Sequence, residues 1–119
     1  MAVRYIVDNV KEAVKFYTKY LGFVIKKDWG PVVILKKDSL ELWVSGPLSS
    51  AGKTTLKGQK PMPGGSNRLV VNIHSLQKVV KEFKQNEVQI LSGKVNSPAG
   101  EWIVVADPSG NPVELFETK

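Results

Sequence analysis

Cysteine is absent from the 119 residues, which excludes disulfides, thiolate metal sites and cysteine nucleophiles. Histidine occurs once, at His74, so a Ser-His-Asp arrangement would rest wholly on that residue, and no pattern supports it. Its place just before Ser75 is that of a polar surface or cap residue. No apolar run approaches the roughly 20 residues that a membrane-crossing helix needs. The opening MAVRYIVDNV breaks at Asp8 and has no signal-peptide layout, so the expected location is cytoplasmic, without a membrane partner. Zinc-finger spacing and RNP-like aromatic motifs are missing too, and nucleic acid is not expected as a partner. The phrase GPLSSAGKTT is no phosphate-binding loop: Gly46 and Gly52 enclose five residues where that pattern needs four, and no helical pattern follows.

What remains is an ordinary globular composition, 42% hydrophobic and 24% charged, in a chain of one-domain length. The formal net charge is +6, and all but two of the basic residues are lysines spread along the chain. Such a spread is first of all a solvated surface; in partners it favours anions.

The chain repeats itself. Val3 to Asn9 is a β-branched and aromatic strand ending in a capping residue, with Glu12 three positions after Asn9. Val10, Ala13, Val14, Tyr17 and Leu21 recur at helical spacing, and Gly22 supplies a stop. Further along, Leu69 to Ser75 is again a strand ending in a cap, and Leu76, Val79, Val80 and Phe83 form the helical stripe. Leu40-Glu41-Leu42-Trp43 lies on Val113-Glu114-Leu115-Phe116, with an insertion in the second copy expected around Ser92 to Gly100. Two more strands fit into each copy. Phe23 to Lys27 and Pro31 to Lys37, joined by the turn Asp28-Trp29-Gly30, fill the first; Val88 to Leu91 and Glu101 to Asp107 fill the second. The expected class is α+β, two βαβββ modules, with module one at 1–45, a Gly-, Pro- and Ser-rich linker loop at 46–66 and module two at 67–119.

Two phrases, VDNVKEAVKFYTKYLGF and DPSGNPVELFE, make the chain resemble the vicinal oxygen chelate superfamily, which holds glyoxalase I, extradiol dioxygenases and bleomycin-resistance proteins. That resemblance implies strands curled into a half-open barrel, a homodimer, and in the enzymes a divalent metal held by the first and last strands of each module. The ligand positions fall on Met1, Glu41, Arg68 and Glu114. A thioether and a guanidinium make a poor set, since arginine stays protonated and has no lone pair to give. The resemblance therefore implies a metal-free protein binding a small molecule, with Tyr5, Glu41, Trp43, Arg68, Trp102, Glu114 and Phe116 as cavity residues. Trp43 in particular shares the face of Glu41 by strand alternation, core packing being its other role. No cofactor is expected, and Arg68 is expected to pair with Glu114, Glu41 or both in place of the cation. The alternatives are a metal-dependent lyase or dioxygenase, or a dimer module without ligand. Which reaction, if any, stays open.

Overall fold

The computed structural model describes residues 1–119, which divide into two compact units, Met1–Gly64 and Gly65–Lys119. Each unit is a βαβββ module built on a four-stranded mixed sheet that is not closed on itself, so the fold is α+β.

In module one, β1 (Ala2–Ile6) leads into α1 (Val10–Leu21), and β2 (Val24–Asp28), β3 (Val32–Lys37) and β4 (Leu40–Ser45) follow in order β1-β4-β3-β2. The helix starts where the sequence says it should: the Asn9 side chain accepts the Glu12 N–H at 3.0 Å. It stops at Gly22, whose φ of 74° is the left-handed conformation that glycine adopts without Cβ strain. Ala13, Phe16, Tyr17 and Leu21 are buried, and Tyr17 meets Phe16 and Phe23 edge-to-face at 5.1 and 5.6 Å. The sheet contributes Val33, Leu35, Leu42 and Val44, all nearly inaccessible, to the helix-facing layer. The linker region carries a short helix, α2 (Ser50–Lys53), where only loop was expected. Ser49 caps it by accepting the Gly52 N–H, and Gly52 sits so close to Gly46 that a Cβ there would lie 2.2 Å from the Gly46 carbonyl oxygen.

Module two runs β5 (Leu69–Asn72), α3 (Leu76–Gln85), β6 (Val95–Ser97), β7 (Gly100–Ala106) and β8 (Pro112–Thr118), in order β5-β8-β7-β6. The turn before β8 is organised by buried Asp107, whose Oδ1 accepts the N–H groups of Ser109 and Asn111 at 2.9 Å each. Asn111 Nδ2 donates to Oδ2 at 3.0 Å, and Gly110 provides the positive φ.

The strand expected at Val88 to Leu91 is corrected by the structure. Gln89 and Ile90 do run beside β7, through Ala106 N–H to Gln89 O and a lone bridge from Ile90 to Val105. Ser92 then breaks the ladder, because its hydroxyl takes the Val104 N–H that a strand neighbour would take. The edge strand resumes at Val95. The insertion expected around Ser92 to Gly100 lies mainly in the turn between β7 and β8: Ile103 pairs with Leu115, 12 residues on, where Leu35 pairs with Leu42, 7 residues on.

Candidate functional site

Strand alternation assigns each candidate residue to a face. In module one β1 is parallel to β4, with Ala2 opposite Glu41, Arg4 opposite Trp43 and Tyr5 opposite Val44. Glu41 and Trp43 thus share the face turned away from α1. Tyr5, placed with them by the sequence reading, lies on the other face and is buried beside Val44 in the helix-facing layer. A one-residue step along a strand reverses the face, which is why its neighbour Arg4 stands where Tyr5 was expected.

On that outer face Glu41 is held from two sides. The Lys26 ammonium forms an ion pair with Oε2, and Trp43 Nε1–H donates to Oε1 at 3.0 Å. The hydrogen bond from Lys26, followed by that from Trp43, holds the Glu41 carboxyl below the ordinary carboxylate value. Arg4 lies over the Trp43 ring with its guanidinium carbon 5.1 Å from the centroid, and Nη1 donates to Ser45 Oγ at 3.0 Å. A groove of about 410 Å³ opens beside this pair, walled by Trp29, Pro31, Leu48 and Ser50. Arg4 is the residue that sequence reasoning missed. The available signal was a cation inside an apolar strand, four positions from the nearest acidic residue, Asp8.

In module two the ladder places Trp102 opposite Phe116 and Val104 opposite Glu114, with Val70 on the far side of Glu114. Arg68, Glu114, Trp102 and Phe116 therefore meet on one face. Arg68 Nε donates to Glu114 Oε1 at 3.0 Å, and Nη2 reaches the same oxygen at 3.0 Å. The guanidinium also lies over Trp102, 5.4 Å from the ring centroid, and Nη1 meets the Ser66 carbonyl at 3.4 Å. The Glu114 side chain is 11% exposed and that of Arg68 33%. Phe116 is half-buried across from Trp102.

The two modules are not in perfect register. Their helix caps, Asn9 and Ser75, make Val7 the counterpart of Ile73; yet Val7 N–H donates to Ser45 and Ile73 N–H to Phe116, the counterpart of Trp43. The slip is two residues, an even number, so faces are preserved while neighbours change. The slip does not account for the two ligand positions Met1 and Arg68, which are not counterparts: 66 residues on from Met1 is Asn67. Arg68 stands two residues before Glu114's partner Val70 and shares its face, whereas Met1 stands one residue before Glu41's partner Ala2 and is fully exposed.

With the geometry in view, the comparisons with known proteins are consistent. Residues 2–115 match the model of the Glyoxalase/Bleomycin resistance protein/Dioxygenase superfamily, and the chain belongs to that family. Among solved structures, it is similar to a lactoylglutathione lyase from Agrobacterium tumefaciens, with TM-score 0.69, 19% identity, and 98% and 91% of the two chains covered. A glyoxalase-related enzyme from Fulvimarina pelagi gives TM-score 0.77 at 16% identity, covering 98% of this chain and 86% of that one. A virulence protein from Salmonella typhimurium gives 0.72 at 21% identity, covering 99% and 94%. At these identities the likeness is one of fold. No curated protein matches the chain in sequence.

Proposed function

We propose that this protein is a metal-free member of the superfamily that binds a small anionic molecule. The observation that carries this reading is the Arg68–Glu114 pair: the residue at one implied metal-ligand position occupies the carboxylate oxygen at another. A guanidinium cannot be a ligand, and while it holds Oε1 it competes with any cation for that carboxylate. Within neither module do three His, Cys, Asp or Glu side chains gather into a group able to hold a metal ion, and exposed Met1 adds only a thioether. The donor set does not fit a catalytic divalent ion.

Support for an anionic ligand comes from Arg4, exposed on Trp43 beside the module-one groove. A guanidinium stacked on an indole, with apolar walls, suits an aromatic or aliphatic carboxylate: the charge meets Arg4 and the body meets Trp29 and Leu48. The test is a thermal-shift screen of small carboxylates on the wild type and on Arg4→Gln, with nickel, zinc and manganese as parallel arms and elemental analysis of the purified protein. Stabilisation by a carboxylate that disappears in Arg4→Gln supports the reading. Stoichiometric metal, or stabilisation by metal alone, overturns it in favour of the metal-dependent lyase or dioxygenase class.

A further inference from the structure

The helix-facing side of module two holds a second cavity, of about 750 Å³, between α3 and the sheet. It shares no residue with the Arg68–Glu114 face, and it does not rest on the function proposed above. Its walls are apolar at Leu76, Val80, Ile90 and Ile103, of which Leu76 and Ile103 are almost fully buried. Its floor carries Glu101 and Glu117, which stand directly opposite each other across β7 and β8.

The repeat shows how unusual that floor is. Leu42 of β4 corresponds to Leu115 of β8, so Val44 corresponds to Glu117, and their cross-strand partners are Val33 and Glu101. In module one this pair is two valines, 2% and 0% exposed, in the layer beneath α1. In module two two carboxylates replace them. Like charges facing each other across a ladder oppose folding, and both carboxylates are only half-buried.

Their present partners account for only part of the charge. Glu101 is paired with half-exposed Lys94 at 3.0 Å. Glu117 accepts the backbone N–H of Leu76 at 2.7 Å, at the start of α3, and no ion pair reaches it. The remaining lysine of the wall, Lys84, is exposed in the last turn of the helix. A cation would therefore be accepted beside Glu117, and the apolar wall next to it would receive a hydrocarbon body. The volume lies within the roughly 300–1,000 Å³ of small-molecule sites.

We propose that the α3–sheet cavity of module two binds a small organic cation, an ammonium group on an apolar chain or ring, with the ammonium on Glu117 and Glu101 and the body against Leu76, Val80 and Ile103. The probe is n-hexylamine, protonated at neutral pH, titrated into the isotopically labelled protein and followed by amide chemical shifts. Hexanoate and hexanol serve as controls of the same length. The expected result is saturable shifts at Leu76, Val80 and Ile103 with the amine only. Glu117→Gln, which keeps an oxygen for the Leu76 N–H, should weaken that binding about tenfold or more. Glu101→Gln, which leaves Lys94 unneutralised at the cavity, should weaken it as well and serves if Glu117→Gln does not fold. Equal binding of hexanoate or hexanol, no saturable shift with the amine, or unchanged affinity in a folded Gln variant overturns the proposal. Loss of carboxylate binding in Arg4→Gln concerns the other module and leaves this result unaffected.

Discussion

Arg68 places two of its nitrogens, Nε and Nη2, on one and the same oxygen of Glu114, each at 3.0 Å, while its flat face covers Trp102. Glu114 sits in the middle of β8 between buried Val113 and Leu115. A carboxylate in so apolar a strand is tolerable because a fixed guanidinium meets it.

Breaking that pair has a cost set by its burial. Losing one partner of a fully buried pair costs about 3–5 kcal/mol and of an exposed pair about 0–1. With the arginine side chain one-third exposed, Arg68→Met should lose about 1–3 kcal/mol in denaturant titration. The double variant Arg68→Met/Glu114→Gln should recover part of the loss, since no unpaired charge remains. A loss under about 0.5 kcal/mol would show that the pair does not hold the module together.

Glu41 should titrate below the ordinary carboxylate range, because Lys26 and Trp43 donate to its ionised form. The sign follows from the lowered folded-state value. This interaction stabilises the fold above the unfolded-state value, and the contribution is lost as pH falls through the lowered one. Carboxyl chemical shifts followed through an acid titration measure it directly. Lys26→Met should move the Glu41 midpoint upward, and an unmoved midpoint would remove Lys26 as the main cause.

Gly52→Ala tests the close approach in the linker. Its Cβ would lie 2.2 Å from the Gly46 carbonyl oxygen, with backbone and not a flexible side chain in the way. We expect a loss of about 1–3 kcal/mol, with hydrogen exchange rising at Gly46, Ser49 and Gly52 first. Wild-type stability in this variant would mean that α2 contributes nothing to module one.

Asp107→Ala removes an acceptor of two backbone N–H groups and the Asn111 amide in a buried turn. Each donor left without its oxygen costs about 1–3 kcal/mol, and the turn delivers β8, which carries Glu114. Denaturation should come at markedly lower denaturant, whereas Asp107→Asn, which retains one oxygen, should lose less.

A homodimer is proposed from the family resemblance, and β2 offers an edge for it. All five residues of this strand are exposed, with Val24 and Ile25 ahead of Lys26, Lys27 and Asp28, and its outer backbone groups are open to a partner strand at the Val24–Ile25 end. Light scattering at micromolar concentration should give twice the 13.1 kDa chain mass, and Ile25→Lys should lower it. A wild-type monomer would discard the idea.

How much of this was legible beforehand differs from element to element. The caps and stops were, because they are local chemistry: Asn9 with Glu12, Ser75 at the start of α3, Gly22 at the end of α1, Asp107 in its turn. The internal repeat was legible too, since it is only a comparison of residue patterns, and with it the α+β class, while the candidacy of Glu41, Arg68 and Glu114 came from the resemblance to the superfamily. The caps and stops depend on residues a few positions apart, where side-chain type and backbone preference decide the outcome.

The tertiary structure decided what pairing decides. Which of Arg4 and Tyr5 faces Trp43 depends on the register of β1 against β4, and a step of one residue reverses the answer. The edge strand moved from Val88–Leu91 to Val95–Ser97 because the Ser92 hydroxyl, remote in sequence from Val104, claimed its N–H. Likewise, Glu101 and Glu117 look like ordinary strand glutamates until the β7–β8 ladder sets them side by side at the positions of two buried valines. Local sequence fixes the conformation of each segment; long-range hydrogen bonds between strands fix which side chains meet, and no short-range pattern encodes that choice.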